Sequence, residues 1–552
     1  MRYSIFLFLI LFAAWSLHPM FASGMMQTHD GLWHVQRAAE MFAMLRAGEF
    51  PVRWAASLDN GFGIPLFNFV YPLPYYLAAG LMFLRVSPIS ALKVVTAVFY
   101  TLGGLGMYRF FVKKSPLAAL TASIVYLVTP YQLVNIFVRG DIGETIVLGM
   151  APWVLVRLRA VQSSGRLRWY DPLPLALAII SHNFLGIILA AAALIYILVR
   201  DLHHIKLPLL SIMLSLGLSA FFWLPMIGES GLLLSNATHN YTFVWSDHFI
   251  CPWQLLYSKW DYWYSMPGCD KDGFTFQLGF ANLAAIAGFI VTSLWFWKKL
   301  SARSRRLRIM WIIAGGFTTL AMVPAGIFIW RIFRVLQVMQ FPWRLLAVMV
   351  LVTSVMAGLS LVALHKKFPK LSILLAASYL LLALVNTRNY HSPVRILSAE
   401  EFAEQNRLFA GRTTTSIRDE VVPATAPLVR WKTENNPRLV TPYFGMEQGA
   451  AQIHEATDTG LSLTFTAFGE NNRATAIYYK NYFPSWVATV DGKPFTLDRT
   501  PTGEIVIHLL HGEHAYHVWV SSTPLETAGN LVTLASLVLL GIYSLYTYGK
   551  TS

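Results

Sequence analysis

Asp30 is the acidic residue of this chain that is best placed to do chemistry. It follows the first hydrophobic segment and opens a stretch rich in charged and aromatic residues, with His29 beside it. A carboxylate at a membrane–water boundary can bind a divalent cation or accept a proton from a hydroxyl group. Asp30, His34 and Arg37 are spaced so that a helix would place all three on one face. Taken alone, Asp30 is also the kind of acid that a solvated loop carries.

A second group of ionisable residues lies in the short loop 139–144, between two apolar runs. Ionisable residues at the ends of membrane helices are functional candidates. One interpretation is that Asp30, with Asp141 or Glu144, holds one Mg²⁺ or Mn²⁺ ion that orients a phosphate, because hard cations take oxygen ligands. The other is an internal ion pair between Arg139 and Asp141 that fixes the loop.

Two basic residues elsewhere are further candidates. His182 interrupts an apolar stretch, where it either joins two helices or faces a cavity; there it could bind phosphate or carry a proton. Arg344 precedes an apolar helix at the expected outer interface. Its guanidinium suits a phosphate group, and lipid headgroups are the alternative partner.

Composition indicates a polytopic membrane protein. The chain has 552 residues, of which 55% are hydrophobic and 13% charged, against about 25% charged residues in soluble domains. The net charge of +15 does not indicate nucleic acid binding, because the basic residues cluster between the hydrophobic runs. That distribution is typical of cytoplasmic loops.

We expect about twelve membrane-spanning helices, because apolar runs long enough to cross a ~30 Å hydrocarbon core recur along the chain. The run 172–199 has basic residues at both ends, which favours two shorter helices meeting at His182. The segment 66–86, which contains Pro72 and Pro74, is expected to be only partly inserted. The predicted spans are 4–22, 92–112, 116–136, 145–159, 172–182, 184–199, 207–228, 276–297, 309–331, 341–364, 371–387 and 526–547.

The first span is interpreted as an uncleaved helix. Its apolar stretch from Ile5 to Ala22 is longer than the usual signal-peptide core of 7–15 residues, although the end of the stretch resembles a cleavage site. The charge pattern then places both termini in the cytoplasm and the loop 229–275 outside. This loop is rich in aromatic residues, which are typical of a membrane interface and also stack on sugars. Its Cys251 and Cys269 are expected to form a disulfide in an oxidising periplasm.

The one sizeable polar region, 388–525, is predicted to be a small β-rich domain outside the membrane. Apolar and polar residues alternate in 504–508 and 514–520, which indicates half-buried strands. Asp491-Gly492 supplies a turn signal before them. The expected organisation is a transmembrane module over 1–387 with a first outer loop at 23–91, the periplasmic domain, and a last helix and tail over 526–552.

Together these segments resemble the YfhO-like bacterial membrane proteins, which belong with the GT-C superfamily of polyprenyl-phosphate-sugar-dependent glycosyltransferases. The resemblance runs in order along nearly the whole chain. It is carried by His29-Asp30 through Arg37, 48–54, 61–65, 71–75, 139–144, 341–344, 482–486 and 490–494.

The resemblance implies a GT-C-like helical bundle whose active-site cavity faces the periplasm. The donor would be a sugar on a polyprenyl phosphate, and Asp30 would match the catalytic acid of the first loop. Asp141 or Glu144 would match the acid of the second loop. Some members of the superfamily need a divalent metal and others do not.

We therefore expect an inverting glycosyltransferase of the bacterial inner membrane, which moves a sugar to an envelope glycan, lipid or protein. Asp30 would be general base or metal ligand. His29, His34, Arg37, Arg139, His182 and Arg344 are the candidates for binding substrate or phosphate. The alternative is a non-catalytic scaffold or a transporter for envelope polysaccharide. Transporters keep their ionisable residues near mid-membrane, whereas most acids here are expected at the outer face.

Overall fold

The structure is a computed structural model that describes residues 2–59, 61–233, 244–268, 272–409, 423–424, 444–448, 451–471 and 474–549. Helices dominate the chain up to Phe409, and strands dominate from Phe444 to Val520. The helices are α1 (Arg2–Leu17), α2 (Gly31–Arg46), α3 (Leu66–Phe69), α4 (Leu73–Phe83), α5 (Pro88–Phe111), α6 (Pro116–Leu127), α7 (Pro130–Val134), α8 (Ile142–Ser164), α9 (Leu173–Ile179), α10 (Leu185–Arg200), α11 (Lys206–Leu218), α12 (Ala220–Gly228), α13 (Pro252–Leu256), α14 (Phe280–Phe296), α15 (Ala302–Met322), α16 (Ile327–Ile332), α17 (Leu346–His365), α18 (Pro369–Thr387), α19 (Ala399–Phe409) and α20 (Pro524–Gly549).

Six helices of the described residues are long and apolar enough to cross a membrane, and up to nine spans result if each of three bent helix pairs is one span. The chain is therefore a multi-pass helical membrane protein, as its composition predicts. The count differs from the expected twelve partly because α9, in the predicted span 172–182, has only seven residues. At a rise of 1.5 Å per residue, a helix of that length covers about 10 Å.

Three of the apolar runs are bent rather than straight. The bend is 43° between α6 and Pro130–Arg139, 68° between α11 and α12, and 99° between α15 and Pro324–Ile332. In the first and third pairs a proline opens the second half. Proline lacks the backbone N–H that would continue the first helix, so these runs break where it occurs.

The segment 66–86 also forms short pieces. Residues around Pro72 separate α3 from α4, and α4 has 11 residues. That length is about 16 Å, roughly half of a hydrocarbon core. Helix α4 packs against α2 and α5, so this segment lies against the other helix of the region 23–91 and the helix that follows it.

The bundle is organised around α5 and α17. Helix α5 packs against α6 and α8, whereas α17 packs against α6, α14 and α18. Most of α17 is buried, as expected for a helix surrounded by others. The C-terminal helix α20 packs against α11 and α12, and its other faces expose apolar side chains that suit lipid contact.

The region near the C-terminus is rich in strands, which confirms the β-rich prediction. Two sheets form there, in the orders β3-β6-β10-β9 and β4-β5-β11-β7-β8. Asp491 and Gly492 both have positive φ in the hairpin that joins β7 to β8, as a tight Asp-Gly turn requires. The strands are β1 (Met25–Met26), β2 (Ile396–Leu397), β3 (Phe444–Gln448), β4 (Ala451–Asp458), β5 (Ser462–Gly469), β6 (Thr475–Asn481), β7 (Trp486–Val490), β8 (Lys493–Phe495), β9 (Asp498–Arg499), β10 (Glu504–His508) and β11 (Gly512–Val520).

The β-rich region is fastened to the first outer loop by buried hydrogen bonds. The Lys480 ammonium donates to the Gly61 carbonyl at 2.7 Å. The Asn481 side chain donates to Asp59 at 2.7 Å and to the Gly63 carbonyl at 2.8 Å. Because these groups are shielded from water, the contact orders the loop with respect to the sheets.

A buried polar network connects the same loop to the C-terminal helix. The Arg53 guanidinium donates to Asn68 at 3.0 Å and to Asn530 at 2.8 Å. The Asn68 amide in turn donates to Glu526 at 2.5 Å. The backbone N–H of Arg53 donates to the Glu49 carboxylate at 2.7 Å, so this part of the loop is held by its own residues as well.

Candidate active site

The region predicted as the first outer loop, 23–91, and the loop 139–144, called the second outer loop below, meet at Asp30. The backbone N–H of His29 donates to the Val138 carbonyl at 3.0 Å, and that of Asp30 donates to the Arg139 carbonyl at 2.8 Å. Helix α2 begins directly after Asp30. The two acidic loops that the sequence singles out are therefore adjacent in space.

Two glycines permit this close approach. Gly140 has a φ of +70°, and a Cβ there would lie 2.2 Å from the Thr28 hydroxyl oxygen. A Cβ on Gly143 would lie 2.5 Å from the Ser181 carbonyl oxygen and 2.6 Å from the Tyr71 ring. The Ser181 carbonyl oxygen belongs to the backbone and cannot move aside cheaply, whereas at Gly140 the positive φ disfavours any residue with a Cβ. Both positions therefore favour glycine.

Arg139 is the centre of a buried charge cluster. Its guanidinium lies 2.8 Å from Asp141 and 2.8 Å from Glu144, and all three side chains are almost inaccessible to solvent. Asp141 also caps α8, since its other oxygen accepts the Glu144 backbone N–H at 2.9 Å. The π-helical turn Asn135–Arg139 supplies Asn135, which with Tyr131 completes the bonds to Arg139 and Glu144. The predicted Arg139–Asp141 ion pair is therefore present.

His182 and Arg344 approach the same cluster from two other elements. The distance from Glu144 Oε1 is 3.7 Å to His182 Nε2 and 3.5 Å to Arg344 Nε. The His182 Nδ1 atom accepts the backbone N–H groups of Phe184 and Leu185 at the start of α10. His182, which interrupts the apolar run, thus faces the charge cluster and also bonds the first backbone N–H groups of α10.

Asp30 differs from the other two acids. Its side chain is half-buried and makes no cap hydrogen bond to α2; over the described ranges of the chain its carboxylate has neither a hydrogen bond nor an ion pair. Burial, helped by the neighbouring Asp141 carboxylate, raises the pKa of Asp30 to about 6. The opposing attraction comes from Arg139, Arg37 and Arg344. Asp30 is thus a carboxylate poised to exchange a proton near neutral pH.

The state of Asp141 is the opposite. Burial acts to raise the pKa of Asp141, but the Arg139 guanidinium outweighs it and holds the pKa below its usual range. The pKa of Asp30 is therefore raised and that of Asp141 lowered within the same site. This division is typical of sites in which one carboxylate exchanges a proton and the other stays ionised.

The aromatic rings of Tyr71 and Tyr75 lie between His182 and His34. Tyr71 stacks on His182 with a centroid distance of 5.4 Å and on Tyr75 at 6.2 Å. The Tyr75 hydroxyl bonds His34 Nδ1 at 2.8 Å and accepts from Arg37 at 3.1 Å. Among the residues that the structure describes, the buried Nε2 atom of His34 has no hydrogen-bond partner.

The side chain of His29 contacts the aromatic-rich loop 229–275. Its Nε2 atom lies 3.1 Å from the Tyr262 carbonyl oxygen, and its ring stacks on Tyr264 at a centroid distance of 4.4 Å. Burial lowers the pKa of His29 to about 4. The neutral ring therefore serves to join the loop 229–275 to the site, and its place is not that of a free phosphate ligand.

A pocket that is partly open to solvent lies beside the charge cluster, between α2, α5, the segment before α2 and residues 135–145. Most of its wall is apolar, with Met20, Met25, Ile89, Leu92 and Ile142 as examples. Its polar lining includes His34 and Asp141. An apolar wall beside polar groups suits a ligand that has both an apolar and a polar part.

The predicted metal ligands are only partly brought together. In the described residues, the acids and histidines that meet closely enough for one ion are Asp141, Glu144 and His182. Asp30 is not in this group of three, and an ion shared by Asp30 with Asp141 or Glu144 stays a prediction. The expected disulfide also stays a prediction: Cys251 is buried, whereas Cys269 lies outside the described residues.

Sequence reasoning missed four residues of the site: Tyr71, Tyr75, Tyr131 and Asn135. Tyr71 and Tyr75 belong to the segment 71–75, which carries part of the family resemblance, and this resemblance could have indicated them. Nothing in the sequence marks Tyr131 and Asn135, because an aromatic and an amide in an apolar run are common in any membrane helix.

No family model and no curated protein matches the chain. Among solved structures, the arabinofuranosyltransferase AftD from Mycobacteria is similar over 70% of this chain and 27% of that chain, with 15% identity and a TM-score of 0.45. The Archaeoglobus fulgidus oligosaccharyltransferase complex with Zn and sulfate is similar over 78% of this chain and 59% of that chain, with 13% identity and a TM-score of 0.36. This chain thus spans 27% and 59% of the lengths of the two proteins.

Proposed function

We propose that this chain is an inverting GT-C-like glycosyltransferase of the bacterial inner membrane. It would move a sugar from a polyprenyl-phosphate donor to a glycan, lipid or protein acceptor on the periplasmic face. The observation that carries the proposal is Asp30, a half-buried carboxylate with a pKa raised to about 6, beside a cluster of buried cationic and N–H groups. Such a pair of features suits attack by a hydroxyl group and departure of a phosphate.

Asp30 acts as the general base in this proposal. It accepts the proton of the acceptor hydroxyl while the acceptor oxygen forms a bond to the anomeric carbon of the sugar. The bond from that carbon to the phosphate oxygen of the donor breaks in the same step, so the configuration inverts. A carboxylate with a pKa near 6 is largely ionised at neutral pH and still basic enough to take the proton.

The leaving phosphate gains negative charge and needs donors that are already in position. His182 Nε2 and Arg344 Nε both approach Glu144 Oε1 at distances too long for a good hydrogen bond. The orphaned Nε2 of His34 lines the adjacent cavity. These groups can turn to a phosphate at small cost, whereas the bonds of Arg139 are already made.

The apolar pocket would contact the part of the donor lipid that lies next to the phosphate. Its methionine and isoleucine wall offers no hydrogen bonds to a polyprenyl chain and loses none when the chain enters. The β-rich region, which is bonded to the first outer loop through Lys480 and Asn481, would cap the site or recruit the acceptor. No cytosolic nucleotide is required.

The test is a comparison of lipid extracts from cells that lack the protein, cells that carry it and cells that carry Asp30→Asn. Mass spectrometry follows polyprenyl-phosphate sugars and envelope glycans. We expect one lipid-linked sugar to accumulate, and one glycan to lose that sugar, in both the null and the Asp30→Asn strains. Asp498→Asn, the same chemical change at an exposed strand residue, is the matched control and should behave as wild type.

The alternative class gives a different result in the same strains. A non-catalytic scaffold or a transporter for envelope polysaccharide would show the defect in the null strain but not with Asp30→Asn. Normal membrane levels of the variant protein, measured on the same cells, are required for either conclusion. Full complementation by Asp30→Asn would remove the catalytic interpretation.

A further inference from the structure

The acidic cluster raises the question of whether it takes a divalent cation. Asp141, Glu144 and His182 each bring one possible ligand atom within 4.8 Å of the others. A cation needs a free lone pair on each ligand atom, at about 2.0–2.6 Å. The hydrogen bonds of the three side chains show whether those lone pairs are available.

Both carboxylates already accept hydrogen bonds from other groups, and the lone pairs left over are one on each Asp141 oxygen and those of Glu144 Oε1. Asp141 Oδ1 accepts the Glu144 backbone N–H at 2.9 Å, and Oδ2 accepts from Arg139 at 2.8 Å. Glu144 Oε2 accepts the Tyr131 hydroxyl at 2.8 Å, and Arg139 lies 2.8 Å from the same oxygen. Only Glu144 Oε1 has no hydrogen bond in the described residues, and His182 and Arg344 both approach it.

His182 faces the cluster with the wrong atom for a metal. Its Nδ1 accepts the backbone N–H groups of Phe184 and Leu185, each at 3.3 Å. An acceptor nitrogen carries no proton, so the single proton of the neutral ring is on Nε2. Nε2 is the atom that points to Glu144. It therefore presents an N–H donor, whereas a metal ligand would present a lone pair there.

The charge balance leads to the same result. The Arg139 guanidinium contacts both carboxylates at 2.8 Å, and Arg344 lies 3.5 Å from Glu144. Two buried acids thus face two arginines, and a divalent ion would add charge to a cluster that is already neutral. Arginine keeps its charge at every physiological pH, and its planar fork suits two carboxylates.

We propose that the Arg139 guanidinium occupies the place of a divalent cation between Asp141 and Glu144, and that this cluster binds no metal. Arg139 is then a positioning residue that fixes both acids and, through its backbone carbonyl, the N–H of Asp30. The cluster of Asp141, Glu144 and His182 would then be unaffected by divalent ions. Ion binding by this cluster can be measured independently of sugar transfer.

The first test measures metal on the purified full-length protein in detergent. Mn²⁺ is the probe, because its electron paramagnetic resonance signal distinguishes free from bound ion. We expect no binding above that of a Glu144→Gln variant, and no change in thermal unfolding on addition of Mn²⁺ or a chelator. One Mn²⁺ bound per wild-type chain, and lost in Glu144→Gln, would overturn the proposal.

The second test opens the cluster to an ion. Arg139→Gln removes the guanidinium and leaves Asp141 and Glu144 with free oxygens, so this variant should gain one Mn²⁺ per chain. Arg308→Gln is the matched control: Arg308 is buried too, but it donates to Ser293 and to the Leu359 carbonyl and not to an acid, so no gain is expected. An Arg139→Gln protein with a cooperative unfolding transition and no bound Mn²⁺ would contradict the role given to Arg139. If that variant does not fold, the wild-type measurement decides.

Discussion

The backbone N–H of Asp30 donates to the carbonyl oxygen of Arg139 across 2.8 Å. The carboxylate of Asp30 is therefore free, while its backbone is bonded to Arg139. The side chain of Arg139 in turn neutralises Asp141 and Glu144. The free acid and the paired acids are held at a constant separation by the main chain. Side-chain rotation at Arg139 does not release Asp30.

Activity should depend on pH through Asp30. A general base works in its ionised form, so kcat/KM should rise as the pH increases through the pKa of Asp30, which is raised to about 6. The measurement is the rate of sugar transfer in membranes between about pH 5 and pH 8. A profile that stays flat across this range would show that another group takes the proton.

Glu144→Gln should destabilise the protein strongly. The variant keeps the size of the side chain but removes the buried charge that pairs with Arg139 at 2.8 Å. Arg139 keeps its contact with Asp141, but two arginines then face one carboxylate, and an uncompensated buried charge costs about 3–5 kcal/mol. Thermal unfolding in detergent measures the effect, with the exposed Glu400→Gln as the control. Equal melting temperatures for the two variants would contradict the buried pair.

Gly143→Ala should reduce both stability and activity. The added Cβ would lie 2.5 Å from the Ser181 carbonyl oxygen, which the backbone cannot easily move. The clash would push α8 away from the turn that carries His182. Gly316→Ala has no atom within 4 Å of its new Cβ and serves as the control in the same assays. A stable and fully active Gly143→Ala protein would show that the loops tolerate more distance than the structure has.

Glu49 should make stability fall as the pH rises. Burial raises its pKa to about 7 from a model-compound value of 4.5, so the folded state binds a proton more tightly than the unfolded state. The stabilisation is complete below about pH 4.5 and is lost as the pH rises through about 7. Melting temperatures across this window, for wild type and Glu49→Gln, test the sign. A variant with the same slope as wild type would assign the effect to another group.

The candidate residues were predictable because charge stands out in an apolar chain. Asp30, Arg139, Asp141, Glu144 and His182 each interrupt a hydrophobic background, and burial of an ionisable group is costly enough that its presence indicates a role or a partner. Composition and the period of two near the C-terminus likewise predicted the membrane class and the strands.

The pairing of these residues could not be predicted in the same way. The sequence does not show that Glu144 faces Arg344, because their approach depends on how α8 and α17 pack, and packing is a long-range property. The bends in the apolar runs were missed for a related reason. Hydropathy is averaged over many residues, whereas a single residue such as Pro324 decides where a backbone turns.

The hydrogen bond from the Lys480 ammonium to the Gly61 carbonyl joins residues that are 419 positions apart. A ribosome makes the first outer loop early and the strand that holds it almost last. Until the C-terminal third has been synthesised and exported, Asp59 and the loop around it lack the partners that Asn481 supplies. The candidate site would thus be complete only when synthesis of the chain is nearly finished, and prematurely terminated chains would carry Asp30 without the strand that orients its loop.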